Sequence, residues 1–153
     1  MINQLTKEAV ALLKNLISTP SLSGEEAGTA LLIEAWFRSN NMTFKRDKNN
    51  VWAQNKHFDA AKKTILLNSH HDTVKPNKGY TKDPFNPEIS DGKLYGLGSN
   101  DAGGCLVSLL ATFTYFYNTK DLKYNFVIVA SAEEESSGQH GLNSMLKIIP
   151  PID

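Results

Sequence analysis

The sequence has a single cysteine, no excess of charge of either sign and no long apolar run. Cys105 alone cannot form an internal disulfide, and so few cysteines fit a reducing compartment. Sixteen Lys and Arg balance sixteen Asp and Glu, which leaves no basic surplus for nucleic acid or an anionic membrane. Charged residues interrupt the first apolar segment, and no stretch is long enough to cross a bilayer. We therefore expect a cytoplasmic protein with no signal peptide and no nucleic-acid or membrane partner.

The first third of the chain contains the patterns of two helices and a hairpin. Apolar residues recur on one face of residues 5–17, as in an amphipathic helix. Ser23 and Glu26 are three residues apart, which predicts a capping box that opens a second helix through Phe37. Residues 43–56 combine Thr, Phe, Val and Trp around a Lys-Asn-Asn turn, and this pattern predicts a hairpin of exposed strands.

The remaining patterns alternate between strands and helices. Residues 64–67 and 126–130 are short apolar runs rich in branched side chains, typical of strands buried on both faces. A short strand is expected at residues 93–95, and helices are expected at 102–117 and 138–147. The length of 153 residues favours one domain. Together these elements indicate an α/β fold with a mostly parallel mixed sheet covered by helices.

A first polar cluster follows the strand predicted at 64–67. His70 and Asp72 are two residues apart, so on an extended chain their side chains share one face. There Asp72 can accept the second ring N–H of His70 and fix its tautomer for a metal ion. The alternative is a polar strand end whose His and Asp cap the loop backbone.

A second cluster surrounds Asp101, where glycines precede a predicted helix. The glycines permit close approach of the backbone to another group. The alternative role of Asp101 is a helix N-cap, which binds unpaired amide groups. A phosphate-binding loop is disfavoured because no Lys-Ser/Thr pair follows the glycines.

A third cluster, Glu133, Glu134 and Glu135, follows the strand predicted at 126–130. Adjacent carboxylates repel one another unless a cation neutralises them. The alternative is a solvated acidic turn at a helix start. Ligands in open α/β sheets collect at the carboxyl ends of strands, and we expect all three clusters to lie there. Imidazole with carboxylates suits Zn²⁺, Mn²⁺ or Co²⁺. A glutamate beside a ligand glutamate can act as a general base in hydrolysis.

Several motifs occur in the same order as in one known family. The matching segments are residues 12–21, Gly24-Glu25-Glu26, residues 69–74, residues 80–85, residues 91–96, Asp101 and Ser131-Ala132-Glu133-Glu134-Glu135. With these motifs the chain resembles the co-catalytic metallopeptidases and deacylases of the aminoacylase, acetylornithine deacetylase and succinyl-diaminopimelate desuccinylase group. The resemblance implies a catalytic domain similar to that of zinc exopeptidases.

The resemblance also implies a role for each site residue. His70 would ligate one of two divalent ions, Zn or Co, Asp101 would bridge both, and Glu135 would ligate the other. Glu134 would be the general base, and Asp72 would orient His70. His71 would be only the variable residue of the His-x-Asp motif. A cis peptide bond would follow the bridging residue, here between Asp101 and Ala102.

The motifs around His70 and Asp101 are most similar to those of acetylornithine deacetylases. They imply removal of an acyl group from a small N-acyl amino acid, N-acetylornithine first, in arginine biosynthesis. A related dipeptidase or desuccinylase is an alternative, and so is a non-catalytic metal-binding module. Gly96-Leu97-Gly98 departs from the frequent Gly-Arg-Gly of the family.

We expect residues 1–153 to be the N-terminal part of the catalytic domain. The family's remaining ligands, and a lid domain that makes a homodimer, would lie beyond Asp153, so this chain alone should be a poor catalyst. His57 and His140 are expected at the surface rather than at the metal. Cys105 is expected to pack in the core, as are Trp36 and Trp52.

Overall fold

The computed structural model describes residues 1–153 and contains four helices and six strands. The helices are α1 (Ile2–Ile17), α2 (Ala27–Ser39), α3 (Gly104–Phe116) and the single turn α4 (Leu142–Met145). The strands are β1 (Lys45–Asp47), β2 (Asn50–Gln54), β3 (Thr64–His70), β4 (Glu88–Ser90), β5 (Lys93–Tyr95) and β6 (Asn125–Ser131). The expected α/β class is confirmed.

Four strands form one mixed sheet in the order β1-β2-β6-β3. The pairs β1–β2 and β2–β6 are antiparallel, whereas β3 and β6 are parallel, with His70 opposite Ser131. Parallel strands end at the same edge of a sheet. The segments that follow His70 and Ser131 therefore emerge side by side, and this register positions the site.

The sheet has a large core on one face and a small core on the other. Helices α1, α2 and α3 pack on the first face around Phe37, Phe113 and Ile128. On the second face Trp52, Val127, Val129, Met145 and Ile149 form a smaller cluster. Side chains alternate across a strand, so Val51 and Ala53 of β2 join the first core while Trp52 joins the second. Burial of Trp36 and Trp52 is confirmed.

Two expectations about strand burial were wrong. The hairpin at residues 43–56 exists, but β2 is buried because it lies between β1 and β6 inside the sheet. Strand β3 is not buried on both faces, since it lies at an edge of the sheet and Ile65 is exposed. Strand β6, with neighbours on both sides, is buried as expected.

Three local expectations also need correction. Ser23 and Glu26 form no capping box: the Ser23 hydroxyl bonds to Ser136, and Glu26 accepts from the Gly24 amide. Cys105 is exposed, because at the start of α3 it points away from the face that Leu106 buries. The last helix is α4 alone rather than residues 138–147. None of the helices has the length and apolarity that crossing a membrane requires.

Candidate metal centre

His70 ends β3 with its imidazole buried between two carboxylates. Its Nδ1 lies 3.1 Å from the Asp72 backbone oxygen and 3.3 Å from Asp72 Oδ1. Its Nε2 lies 3.1 Å from Asp101 Oδ1 and 3.8 Å from Glu134 Oε2. The hydrogen bond with Asp72, opposed by burial and assisted by Asp101, raises the pKa of His70 to about 9. One nitrogen is thus held by Asp72 while the other faces exposed carboxylates.

Asp72 is a buried carboxylate that connects the two strand ends. Its Oδ1 accepts from the Glu134 amide at 3.2 Å, and its Oδ2 accepts from the Glu135 amide at 3.0 Å. Burial alone would raise the pKa of Asp72, but the His70 and backbone hydrogen bonds outweigh it and lower the pKa to about 2. Asp72 therefore stays ionised and orients both His70 and residues 133–135, which we call the acidic loop.

Asp101 lies in the irregular turn Ser99–Gly103, directly before α3. The peptide bond between Asp101 and Ala102 is cis, so that expectation is confirmed. The Ser69 hydroxyl donates to the Ala102 oxygen at 3.3 Å, and the Gly103 amide donates to the Gly98 oxygen at 2.8 Å. The first contact attaches the turn to the end of β3 and the second closes the turn on itself. The Asp101 carboxylate stays exposed beside His70.

Glu134 and Glu135 complete a group of acidic side chains around His70. One ligand atom from each of His70, Glu134 and Glu135 lies within 4.8 Å of the others. Burial raises the pKa of Glu135, and Asp101 raises it further, while His70 partly opposes the change. Glu133 is directed elsewhere, because its Oε2 accepts from the His140 amide at 3.0 Å.

The donor set fits a divalent cation. One imidazole nitrogen and several carboxylate oxygens converge, and these are ligands that Zn²⁺ and Co²⁺ accept. Like charges so close together are stabilised by a bound cation. The structure thus brings together His70, Asp72, Asp101, Glu134 and Glu135, whereas the exposed His57 and His140 lie outside the group.

Sequence reasoning missed two residues behind the site, His71 and Glu26. The His71 ring is buried, with Nε2 at 3.0 Å from the Asn49 oxygen and Nδ1 at 2.8 Å from the Thr29 hydroxyl. Glu26 is fully buried and bonds to the Glu133 amide. Their partners come from distant segments, so residue spacing gave no signal for them. Glu26 stands in the Gly24-Glu25-Glu26 segment that matches the family, but its spacing from Ser23 also fitted a helix cap.

Two curated relatives illustrate what the chain is similar to. A succinyl-diaminopimelate desuccinylase of Wigglesworthia glossinidia brevipalpis is 31% identical over 148 residues, covering 92% of this chain and 38% of the relative. An acetylornithine deacetylase of Shigella sonnei (strain Ss046) is 34% identical over 143 residues, covering 84% of this chain and 36% of the relative. The chain therefore spans less than two fifths of either relative's length.

Solved structures share the fold at lower identity. An M20 family metallo-carboxypeptidase of Sulfolobus solfataricus matches with a TM-score of 0.75 and 20% identity, covering 92% of this chain and 34% of that one. A dinuclear metal binding peptidase of Bacillus subtilis, also of the M20 family, matches with a TM-score of 0.73 and 17% identity. That match covers 99% of this chain and 42% of the peptidase.

A family model matches the part of the chain that contains the site. It describes Peptidase family M20/M25/M40 and matches residues 66–152, which include His70, Asp101 and Glu135. The match extends over more than half of the chain. The chain therefore belongs to the peptidase family M20/M25/M40.

Proposed function

We propose that this chain is part of a metal-dependent amidohydrolase that removes the acyl group from a small N-acyl amino acid. The observation that carries the proposal is the environment of His70. Asp72 holds one ring nitrogen, and the other nitrogen faces Asp101 and Glu134. Only Nε2 of His70 is therefore directed at the carboxylates. A histidine that ligates a metal ion has its other ring nitrogen held by a protein group in this way.

His70, Asp101 and Glu135 would hold the metal ions. A divalent ion bound there supplies Lewis-acid activation of water and of the amide carbonyl. Glu134, whose side chain is exposed, can take a proton from the attacking water and deliver it to the leaving amine. Asp72 keeps the Nδ1 proton of His70 in place, so that Nε2 remains the ligand atom.

The substrate class rests on what the relatives are named for. One is named for removing a succinyl group from diaminopimelate and another for removing an acetyl group from ornithine. Both reactions release a carboxylate from the nitrogen of a small amino acid. N-Acetylornithine is our first candidate substrate because of the motifs around His70 and Asp101, and N-succinyl-diaminopimelate is the second.

The role of Glu134 can be tested in the full-length protein loaded with Zn²⁺ or Co²⁺. Loss of a general base lowers kcat by about 10²–10⁴-fold, so we expect Glu134→Gln to lose turnover of the preferred substrate while metal content is retained. The matched control is Glu25→Gln, an exposed glutamate outside the cluster. Amine release and metal content are measured on the same samples.

Each outcome of that experiment has a distinct meaning. Loss of turnover in Glu134→Gln alone supports the general base. Equal turnover in Glu134→Gln and the unaltered protein contradicts that role. A metal-loaded protein that hydrolyses neither N-acyl substrate contradicts the proposed reaction. Turnover of a dipeptide by that protein would then indicate a related dipeptidase, and no turnover would indicate the non-catalytic metal-binding module.

A further inference from the structure

Glu26 is a fully buried carboxylate to which the proposed reaction assigns no role. Its Oε1 accepts from the Gly24 amide at 2.6 Å and from the Glu133 amide at 3.1 Å. Its Oε2 accepts from the Asn49 side-chain amide at 2.8 Å. No Lys or Arg pairs with Glu26, so its carboxylate is satisfied only by neutral N–H donors. A buried carboxylate without hydrogen bonds is costly, so each of these donors matters.

Glu26 and Asp72 accept hydrogen bonds from neighbouring backbone amides of the acidic loop. Asp72 binds the amides of Glu134 and Glu135, and Glu26 binds the amide immediately before them. Two buried carboxylates, which we call the carboxylate clamp, thus hold three successive amides of the acidic loop.

The acidic loop needs such an external support. Glu133 has a φ of +55°, in the left-handed region that few residues with side chains occupy. Its conformation sets the direction of the chain immediately before Glu134 and Glu135. The same Asn49 that donates to Glu26 accepts from His71 through its backbone oxygen, so the clamp is also connected to the segment that carries His70.

We propose that Glu26 is a positioning residue that, together with Asp72, fixes the backbone of residues 133–135 and so holds Glu134 and Glu135 beside His70. The role concerns the site of the proposed function and rests on it. Glu26 does not reach the ligand atoms; it acts through the Glu133 amide.

Three variants separate positioning from simple loss of packing. Glu26→Ala removes both acceptors. Glu26→Gln keeps the shape and one acceptor for the amides of Gly24 and Glu133, but its new N–H₂ group faces the N–H₂ of Asn49. Combining Glu26→Gln with Asn49→Asp restores a donor–acceptor pair at that contact. Glu34→Gln is the matched control, because Glu34 is also buried but pairs with Arg38 and Arg46 and bonds to no amide of the acidic loop. Its link to Glu26 is indirect, through Arg46 and Asn49, and neither of those residues is changed in the control.

Two readouts are measured on the full-length protein. The first is amide hydrogen exchange at residues 133–135 in the metal-free protein. The second is the visible absorption spectrum during titration with Co²⁺, which reports the ligands and their geometry. Loss of a residue that orients ligands typically weakens metal affinity by about 10–100-fold. We expect that loss in Glu26→Ala, together with faster exchange at residues 133–135 and a changed spectrum. The loss should be smaller in Glu26→Gln and reversed in the double variant.

The outcomes distinguish this inference from the proposed function. Suppose that the unaltered protein binds Co²⁺ and that Glu26→Ala changes neither the Co²⁺ spectrum nor amide exchange at residues 133–135. That result overturns the role of Glu26 and leaves the proposed function intact. The same spectral change in Glu34→Gln also overturns it, because loss of any buried carboxylate would then suffice. Failure of the unaltered full-length protein to bind Co²⁺ contradicts the metal function, whereas the exchange data still decide whether Glu26 holds the loop.

Discussion

At the scale of single residues, two adjacent histidines at the end of β3 have opposite environments. The hydrogen bond with Asp72 raises the pKa of His70 to about 9, whereas burial lowers the pKa of His71 to about 4. His71 is therefore neutral at pH 7. A carbonyl oxygen can only accept, so Nε2 of His71 donates to Asn49 and Nδ1 accepts the Thr29 hydroxyl proton. His71, at the variable position of the His-x-Asp motif, thus connects α2 to the β1–β2 turn through two buried hydrogen bonds.

We expect His71→Phe to destabilise the metal-free chain. Phenylalanine fills a similar volume but leaves the Asn49 oxygen without the His71 donor, which costs about 1–3 kcal/mol if that group stays unsatisfied. The Thr29 hydroxyl loses the His71 ring but keeps the Glu26 backbone oxygen as a partner at 3.0 Å. Urea unfolding monitored by circular dichroism measures the loss. The control is His57→Ala at an exposed position, where we expect a change within about 0.5 kcal/mol. Equal stability of His71→Phe and the unaltered chain would show that the His71 contacts contribute nothing.

At the scale of elements, the turn before α3 places Asp101 near the end of β3. Gly98 begins this turn with a φ of +73°, and a Cβ there would lie 2.8 Å from Thr73 Cγ2. Gly92, in the β4–β5 hairpin, has a similar φ of +72° but open space around a Cβ. The two glycines share one backbone requirement and differ in their surroundings.

We expect Gly98→Ala to impair both stability and metal binding. A left-handed conformation costs an alanine about 1–2 kcal/mol, and the contact with Thr73 adds to that cost. Gly92→Ala should show the conformational cost alone. Thermal unfolding and Zn²⁺ titration of both variants compare the two sites. If Gly92→Ala weakens Zn²⁺ binding as much as Gly98→Ala does, the turn has no special role in placing Asp101.

Local patterns predicted the type of most elements but not their surroundings. The apolar spacing of residues 5–17 and the branched run 126–130 depend on nearby residues only, and both gave the correct element. The burial of β2 and the exposure of Ile65 depend on the order of strands in the sheet, which no local pattern contains. Cys105 was misplaced for the same reason, since its exposure follows from how α3 is turned on the sheet.

At the scale of the whole molecule, the site is assembled from three segments that are distant in sequence. Each polar cluster alone has an ordinary structural explanation, and only the parallel register of β3 and β6 brings His70 next to the acidic loop. The ordered motifs predicted that the three clusters share one site, and in the structure Asp101 and Glu134 lie beside His70. They did not predict the supports behind these residues, because Glu26 and His71 find their partners across the fold.

The measurement that tests the central claim most directly is calorimetric titration of this chain with Zn²⁺, beside His70→Ala and the control His57→Ala. We predict stoichiometric binding by the unaltered chain and by His57→Ala. Loss of a residue that only supports a ligand typically lowers metal affinity by about 10–100-fold. His70→Ala removes a ligand itself, so we expect its Zn²⁺ affinity to fall by at least that much. Zn²⁺ binding of equal strength in all three folded proteins would contradict a metal centre at His70.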